Sequence, residues 1–145
     1  MSYRKIVLKS ACNIAEEAFA AAALTPGHLV ALDSNGKVAK HATEGGRGER
    51  LFAKESVLQG RGIDTAYAQD ELVFLHVGQP GDEVNAFIKA GQTIAIGEQL
   101  ISSGDGTLQS VADDVSGVTI AQVFAVAVEA VTTTSAALRT RVRLV

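Results

Sequence analysis

The feature that most constrains this chain is its punctuation by turns. Gly27-His28-Leu29-Val30-Ala31-Leu32-Asp33-Ser34-Asn35-Gly36-Lys37-Val38 aligns without a gap onto Gly97-Glu98-Gln99-Leu100-Ile101-Ser102-Ser103-Gly104-Asp105-Gly106-Thr107-Leu108, at an offset of seventy residues. Both glycine pairs, both apolar doublets and the Val/Leu after the turn coincide. A third partial copy opens at Pro80-Gly81-Asp82-Glu83-Val84. Asn-Gly and Asp-Gly suit tight turns because both residues tolerate positive φ. A chain that reuses the figure of strand, turn and strand is built from hairpins.

The stretches between the copies fit the same scheme. Leu29 to Leu32 and Lys37 to Lys40 read as the strands of the first hairpin, and Glu71 to Val77 as a clear strand. Leu51 to Ala53, Ala86 to Ile88 and Thr93 to Ile96 are further short strands. Val118 to Val131 is β-branched and nearly all apolar at its centre, as in a strand covered on both faces. Arg139 to Val145 alternates charged and less polar residues, the mark of a half-exposed strand. The fold class expected is all-β: a compact β-barrel or sandwich of short strands, spanning residues 25–145. Residues 1–24 are expected as an N-terminal arm, either extended or carrying a short helix over Ile14 to Leu24. Asn13 and Glu16 would cap that helix, and the turn at Thr25-Pro26-Gly27 would stop it.

Composition excludes more than it assigns. The chain carries 13 Lys and Arg against 16 Asp and Glu, a net charge of -3, so it has no basic excess to neutralise nucleic-acid phosphates. One cysteine, Cys12, allows neither an internal disulfide nor a zinc cluster, and reads as a lone small hydrophobe. No apolar run reaches the length of a membrane span. The start, with only Ile6 to Leu8 as an apolar run, is too weak for a signal peptide, and production in the cytoplasm is the expectation.

The search for chemistry yields little. His28, His41 and His76 lack metal-ligand spacing, and His76 reads as a surface or satisfied histidine. The carboxylate pairs Glu16-Glu17, Asp70-Glu71, Asp82-Glu83 and Asp113-Asp114 read as solvated turn residues, since neighbours in a strand point to opposite sides. The glycine-rich loops around Arg47 and Arg61 follow neither the phosphate-loop nor the dinucleotide pattern. Arg139, Arg141 and Arg143 share one strand face, expected to be solvated or paired with acids of a neighbouring strand or chain. No catalytic set, cofactor site or metal site is expected.

Three long segments taken together resemble the small capsid decoration, or cement, proteins of tailed bacteriophages. They run 25–46, 51–109 and 125–145, and their most specific pieces are Pro26-Gly27-His28-Leu29-Val30, Gly60-Arg61-Gly62-Ile63-Asp64-Thr65-Ala66-Tyr67, Gly97-Glu98-Gln99-Leu100 and Ala127-Val128-Glu129-Ala130. The resemblance implies a virion structural protein on the outer surface of the head. It would bind the major capsid protein, commonly as a homotrimer, with no enzymatic activity and no membrane or nucleic-acid partner. For the capsid or oligomer interface, the basic start with Tyr3, Arg4, Lys5 and Lys9 is one candidate surface. Arg47, Arg61, Tyr67 and the stripe Arg139, Arg141 and Arg143 complete the set. Loss of Met1 to Ser10 is expected to weaken capsid binding and leave the barrel folded. The alternative is a carbohydrate- or small-ligand-binding β module, for which Tyr67 would be the exposed aromatic platform.

Overall fold

The computed structural model describes residues 3–111 and 121–145. Within them the chain is all-β apart from 3-10 turns at Val57–Gln59 and at Val111. The strands are β1 (Val7–Lys9), β2 (Ile14–Phe19), β3 (Val30–Leu32), β4 (Val38–Lys40), β5 (Leu51–Ala53) and β6 (Leu72–Val77). They continue as β7 (Glu83–Ile88), β8 (Thr93–Ile94), β9 (Gln99–Ser102), β10 (Leu108–Ser110), β11 (Val123–Ala127), β12 (Val131–Thr132) and β13 (Leu138–Leu144).

Strands β7, β10, β9, β11 and β13 form a ring closed by the β13–β7 pairing, a five-stranded barrel. Closure removes the free edges that an open sheet of this size would present. Alternation then sorts the side chains. Val84, Ala86 and Ile88 of β7 join Val142 and Leu144 of β13, with Leu100, Leu108 and Phe124, in the barrel core. Glu83, Asn85 and Phe87 face outward opposite Arg143, Arg141 and Arg139. A second apolar cluster, including Leu24, Val30, Val38, Leu51, Tyr67 and Leu75, lies under the sheet β2-β6-β5 and the hairpin β3–β4.

The repeat seen in the sequence is a repeat in space. In the first hairpin Leu32 pairs with Val38, Ala31 with Ala39 and Val30 with Lys40. In the second, Ser102 pairs with Leu108, Ile101 with Gln109 and Leu100 with Ser110, the same register seventy residues later.

The turns that lead into these hairpins recur more often than the hairpins do. Thr25–His28, Ala68–Glu71, Gln79–Asp82 and Ala95–Glu98 are each closed by a bond from the fourth residue's N–H to the first residue's carbonyl, at 3.2, 3.2, 3.0 and 3.3 Å. The third residue has positive φ in all four: Gly27 at 104°, Asp70 at 65°, Gly81 at 96° and Gly97 at 92°. The fourth residue's side chain then accepts the first residue's N–H: His28 Nδ1 at 3.1 Å, Glu71 at 2.8 Å, Asp82 at 3.0 Å, and Glu98 likewise. Each turn therefore satisfies a backbone donor that would otherwise be left at the sheet margin. The sequence shows three of the four; the fourth hides because Asp70 stands where the others have glycine.

The first twenty-four residues are built into the sheets. β1 pairs with β7, and Ile6 is fully buried. β2 pairs with β6 over six residues, from Ile14–Val77 to Phe19–Leu72, so the short helix is not adopted. The alanines and glutamates of Ile14–Phe19 favour helix weakly, and a six-residue ladder outweighs that preference. A cut after Ser10 would therefore take away β1 and the buried Ile6, not a loose arm. Of the strand read at Val118 to Val131, Val123–Ala127 and Val131–Thr132 are strands, and residues 118–120 lie outside the described residues.

Candidate functional site

One outer face of the barrel gathers four of the eight basic residues singled out in the sequence. On β13, Arg139, Arg141 and Arg143 stand in register with Phe87, Asn85 and Glu83 of β7, and Lys9 of β1 stands opposite Glu83 from the other side. The Glu83 carboxylate is 2% exposed and is met by three cations. Arg143 lies at 3.0 Å, Lys9 at 3.6 Å, and Arg141 donates from both its Nε (2.6 Å) and its second terminal nitrogen. Burial pushes the Glu83 pKa up, but the hydrogen bonds from Arg141 and Arg143 and the nearby positive charge outweigh this and hold it below the ordinary carboxylate value. One acid thus fixes three cations, and this patch carries a local positive excess on an acidic chain. Arg143 and Lys9 remain half to two-thirds exposed at 52% and 66%. Arg4 and Lys5, also exposed, precede β1.

Arg139 is spent differently. Its guanidinium donates to the carbonyls of Pro26 (2.9 Å) and Ile63 (2.5 Å) and to Asp64 (2.8 Å), and it lies 4.3 Å above the Phe87 ring. Phe87 in turn stacks against His28 at 4.7 Å. Arg139 therefore pins the first glycine turn and the long loop between β5 and β6 to the barrel wall. The stripe of three arginines is paired with acids of its own chain, two of them with the neighbouring strand.

The remaining sequence candidates scatter. Tyr3 donates its hydroxyl to Glu129, which raises the phenol pKa, with burial adding to the effect. Arg61 makes a two-pronged pair with Glu71 at 3.0 and 3.2 Å, and this hydrogen bond, with the Ala68 N–H, lowers the Glu71 pKa. Arg47 is exposed in its glycine loop, far in sequence from the basic face. Tyr67 departs from expectation. It is 2% exposed, with its hydroxyl donating to the Lys54 carbonyl at 2.6 Å, so it offers no stacking face. Its neighbours in the second apolar cluster explain this, because the loop that carries it folds back across β2-β6-β5.

Two buried histidines carry chemistry that sequence spacing concealed. His76 is fully buried and its Nε2 lies 2.9 Å from Asp82, itself 3% exposed. Burial lowers the His76 pKa, and Asp82 only partly reverses that. Of the two readings of His76, surface or satisfied, the second holds, and the reading of Asp82-Glu83 as solvated turn residues is corrected. His76 pairs in register with Phe52, a member of the barrel core, so the outer face of β6 is covered by the barrel. His41 lies 2.7 Å from Ser102 Oγ and 3.1 Å from the Arg47 carbonyl. The carbonyl requires a proton on Nε2, so Nδ1 accepts from the serine hydroxyl. That is the hydrogen-bond sense of a serine beside a general base, but Ser102 is fully buried and so is closed to any substrate. The pair is a brace between the hairpins. Cys12, read as a lone small hydrophobe, is a free and exposed thiol.

No protein-family model matches the chain, and no curated protein matches its sequence. Among solved structures, the N base of the head fiber gp8.5 of bacteriophage phi29 is similar. The TM-score is 0.58, with 92% of this chain and 95% of that one covered at 17% identity. The likeness is one of fold.

Proposed function

We propose that this chain is a structural protein of a tailed-phage virion that binds the outside of the assembled head and braces neighbouring major capsid proteins. The observation that carries the reading is the match in fold to a phage head-fibre base along nearly the whole length of both chains. The order of motifs resembling decoration proteins points the same way. The basic face supplies the contact surface: Lys9, Arg141 and Arg143 are held in place by Glu83, so little side-chain order is lost on docking. A head that offers many copies of a complementary site adds avidity, and binding the assembled shell alone stabilises it by mass action.

The test is to incubate the purified protein with heads that lack it. Saturable, stoichiometric binding that raises resistance to heat or chelation is the expected result, and heads that stay bare at micromolar protein defeat the proposal. Arg143→Ala with Lys9→Ala should weaken head binding and flatten its salt dependence while the fold survives, since both side chains are largely exposed.

A further inference from the structure

The basic face has a definite layout and a definite border. Lys9, Glu83 and Arg143 stand in one row across β1, β7 and β13, and Arg141 lies two residues back along β13. Three cations share one buried carboxylate, so two positive charges are left over on a chain of net charge -3. That surplus is turned to solvent. The bond from Arg143 to Glu83 uses one terminal nitrogen, and the Lys9 ammonium stands 3.6 Å from the same acid. Exposed Arg4 and Lys5 lie just before β1. Towards Arg139 the face is closed by acids. Tyr3 bonds both Arg141 and Glu129, and Asp64, whose side chain is 89% exposed, pairs with Arg139.

We infer that this face receives a short acidic segment, a run of aspartates or glutamates, on the surface of the partner protein. The inference rests on the reading of the basic face as the contact surface, and adds the chemistry of what meets it. Charge complementarity sets the sign of the occupant. The unused guanidinium nitrogens of Arg143 suit a carboxylate, and Glu83 already holds the cations in place for it. Exposed ion pairs are individually weak, so several carboxylates are needed rather than one. The border sets the length. A long run of phosphates crossing towards Arg139 would meet Asp64 and Glu129, whereas a short acidic segment ends within the patch.

The test titrates the full chain at low salt with capped hexaglutamate, capped hexaglutamine and a short DNA duplex, following the backbone amides of β1 and β13 by NMR. Hexaglutamate should shift them saturably at roughly millimolar concentration, and the response should fade as salt is added. Hexaglutamine should leave them in place. The double variant Lys9→Gln with Arg143→Gln, in which Arg141 still holds Glu83, should keep its thermal stability and bind hexaglutamate about tenfold more weakly. No shift from hexaglutamate, an equal shift from hexaglutamine, or an undiminished response in the double variant would each overturn the inference. Tighter binding of the duplex than of hexaglutamate would overturn it in favour of nucleic-acid phosphates. Heads lacking the protein separate this inference from the reading beneath it. Heads that bind wild type and double variant alike defeat the acidic segment and leave the capsid reading standing. Heads that stay bare, with hexaglutamate still bound as expected, defeat the capsid reading and support an acidic segment on another partner.

Discussion

The two hairpins share a register and a turn, yet one stands at the surface and the other is part of the barrel wall. β3 and β4 pair only with each other as a strand pair, and Leu32 at the end of β3 is 52% exposed. β9 and β10 each have a second neighbour, and Ser102, the counterpart of Leu32, is fully buried. The second turn is also seated at the root of the first hairpin. Leu29 N–H donates to the Gly106 carbonyl at 2.8 Å, Gly106 N–H to the His41 carbonyl at 3.2 Å, and His41 N–H to the Leu29 carbonyl at 3.0 Å. Local sequence thus sets the hairpin, while its place among neighbours sets which positions are sensitive. The polar residue falls in the buried copy and the apolar one in the exposed copy, the opposite of simple patterning, because Ser102 is bonded to His41.

Exchanging those counterparts gives the largest expected contrast. Ser102→Leu overfills a closed site and leaves buried His41 without its hydroxyl partner, a loss of roughly 3–5 kcal/mol. Leu32→Ser removes a half-exposed leucine from solvent contact and should cost under about 1 kcal/mol. Urea unfolding of the two single variants measures both, and equal losses would mean the hairpins are energetically alike.

Acid should separate the two glycine turns next. His28 and Glu98 occupy equivalent positions and accept the same type of N–H. Burial lowers the His28 pKa to about 4, helped by Lys40 and Arg139 and opposed by Asp105. With the folded value below the unfolded one, the unfolded chain binds the extra proton, so stability falls as pH drops from about 6.5 towards 4. The full loss is on the order of 3 kcal/mol. His76, also lowered, acts in the same direction, so the quantity to measure is the difference between the wild type and His28→Gln. A pH profile that His28→Gln leaves unchanged would refute the assignment.

Much of this architecture was legible because turns are local. The hairpin residues, the strand Leu72–Val77 within Glu71 to Val77, and the arginine alternation of β13 all follow from spacing within about ten residues. What was hidden depends on distant partners. Ile14–Phe19 reads equally as short helix or extended arm until β6 is present to pair with it, and His76 reads as surface or satisfied until Phe52 and the barrel cover it. Tyr67 looks like a platform because a loop's polar composition does not reveal that it folds onto a second core. Of the candidate site, the arginine stripe was visible, but Glu83 as the shared acceptor of Arg141, Arg143 and Lys9 was not. Neither residue type nor spacing records which side chains meet across β7 and β13.

The smaller contrasts lie within the turns themselves. Gly36 and Gly106 have φ of 75° and 81°, but a Cβ on Gly36 would meet nothing within 4 Å, while one on Gly106 would sit 3.0 Å from Lys40 Cγ. Gly36→Ala should therefore cost about 1 kcal/mol from the backbone alone, and Gly106→Ala about 2–3 kcal/mol. Thermal or chemical unfolding of the pair decides whether the added contact matters, and equal costs would mean that Lys40 moves aside freely.

Each turn is also organised by one carboxylate, at its first residue in one copy and its third in the other. Asp33 accepts from the N–H groups of Asn35 and Lys37 at 2.8 and 2.9 Å in the open. Asp105 accepts from Ser103 Oγ and Thr107 Oγ1, both at 2.5 Å, and from Thr107 N–H at 3.0 Å. Burial raises the Asp105 pKa, but those bonds outweigh it and bring the net value below the ordinary one. A lowered carboxylate stabilises the fold above its unfolded pKa and ceases to do so as pH falls through the folded value, so this contribution is intact at neutral pH and vanishes only in strong acid. Asp105→Asn should cost about 1 kcal/mol at pH 7 and nothing at a pH below the folded pKa. Asp33→Asn should cost about half as much, being solvated and still able to accept through its amide oxygen. A loss at Asp105 that persists undiminished in acid would assign the effect to packing rather than to charge.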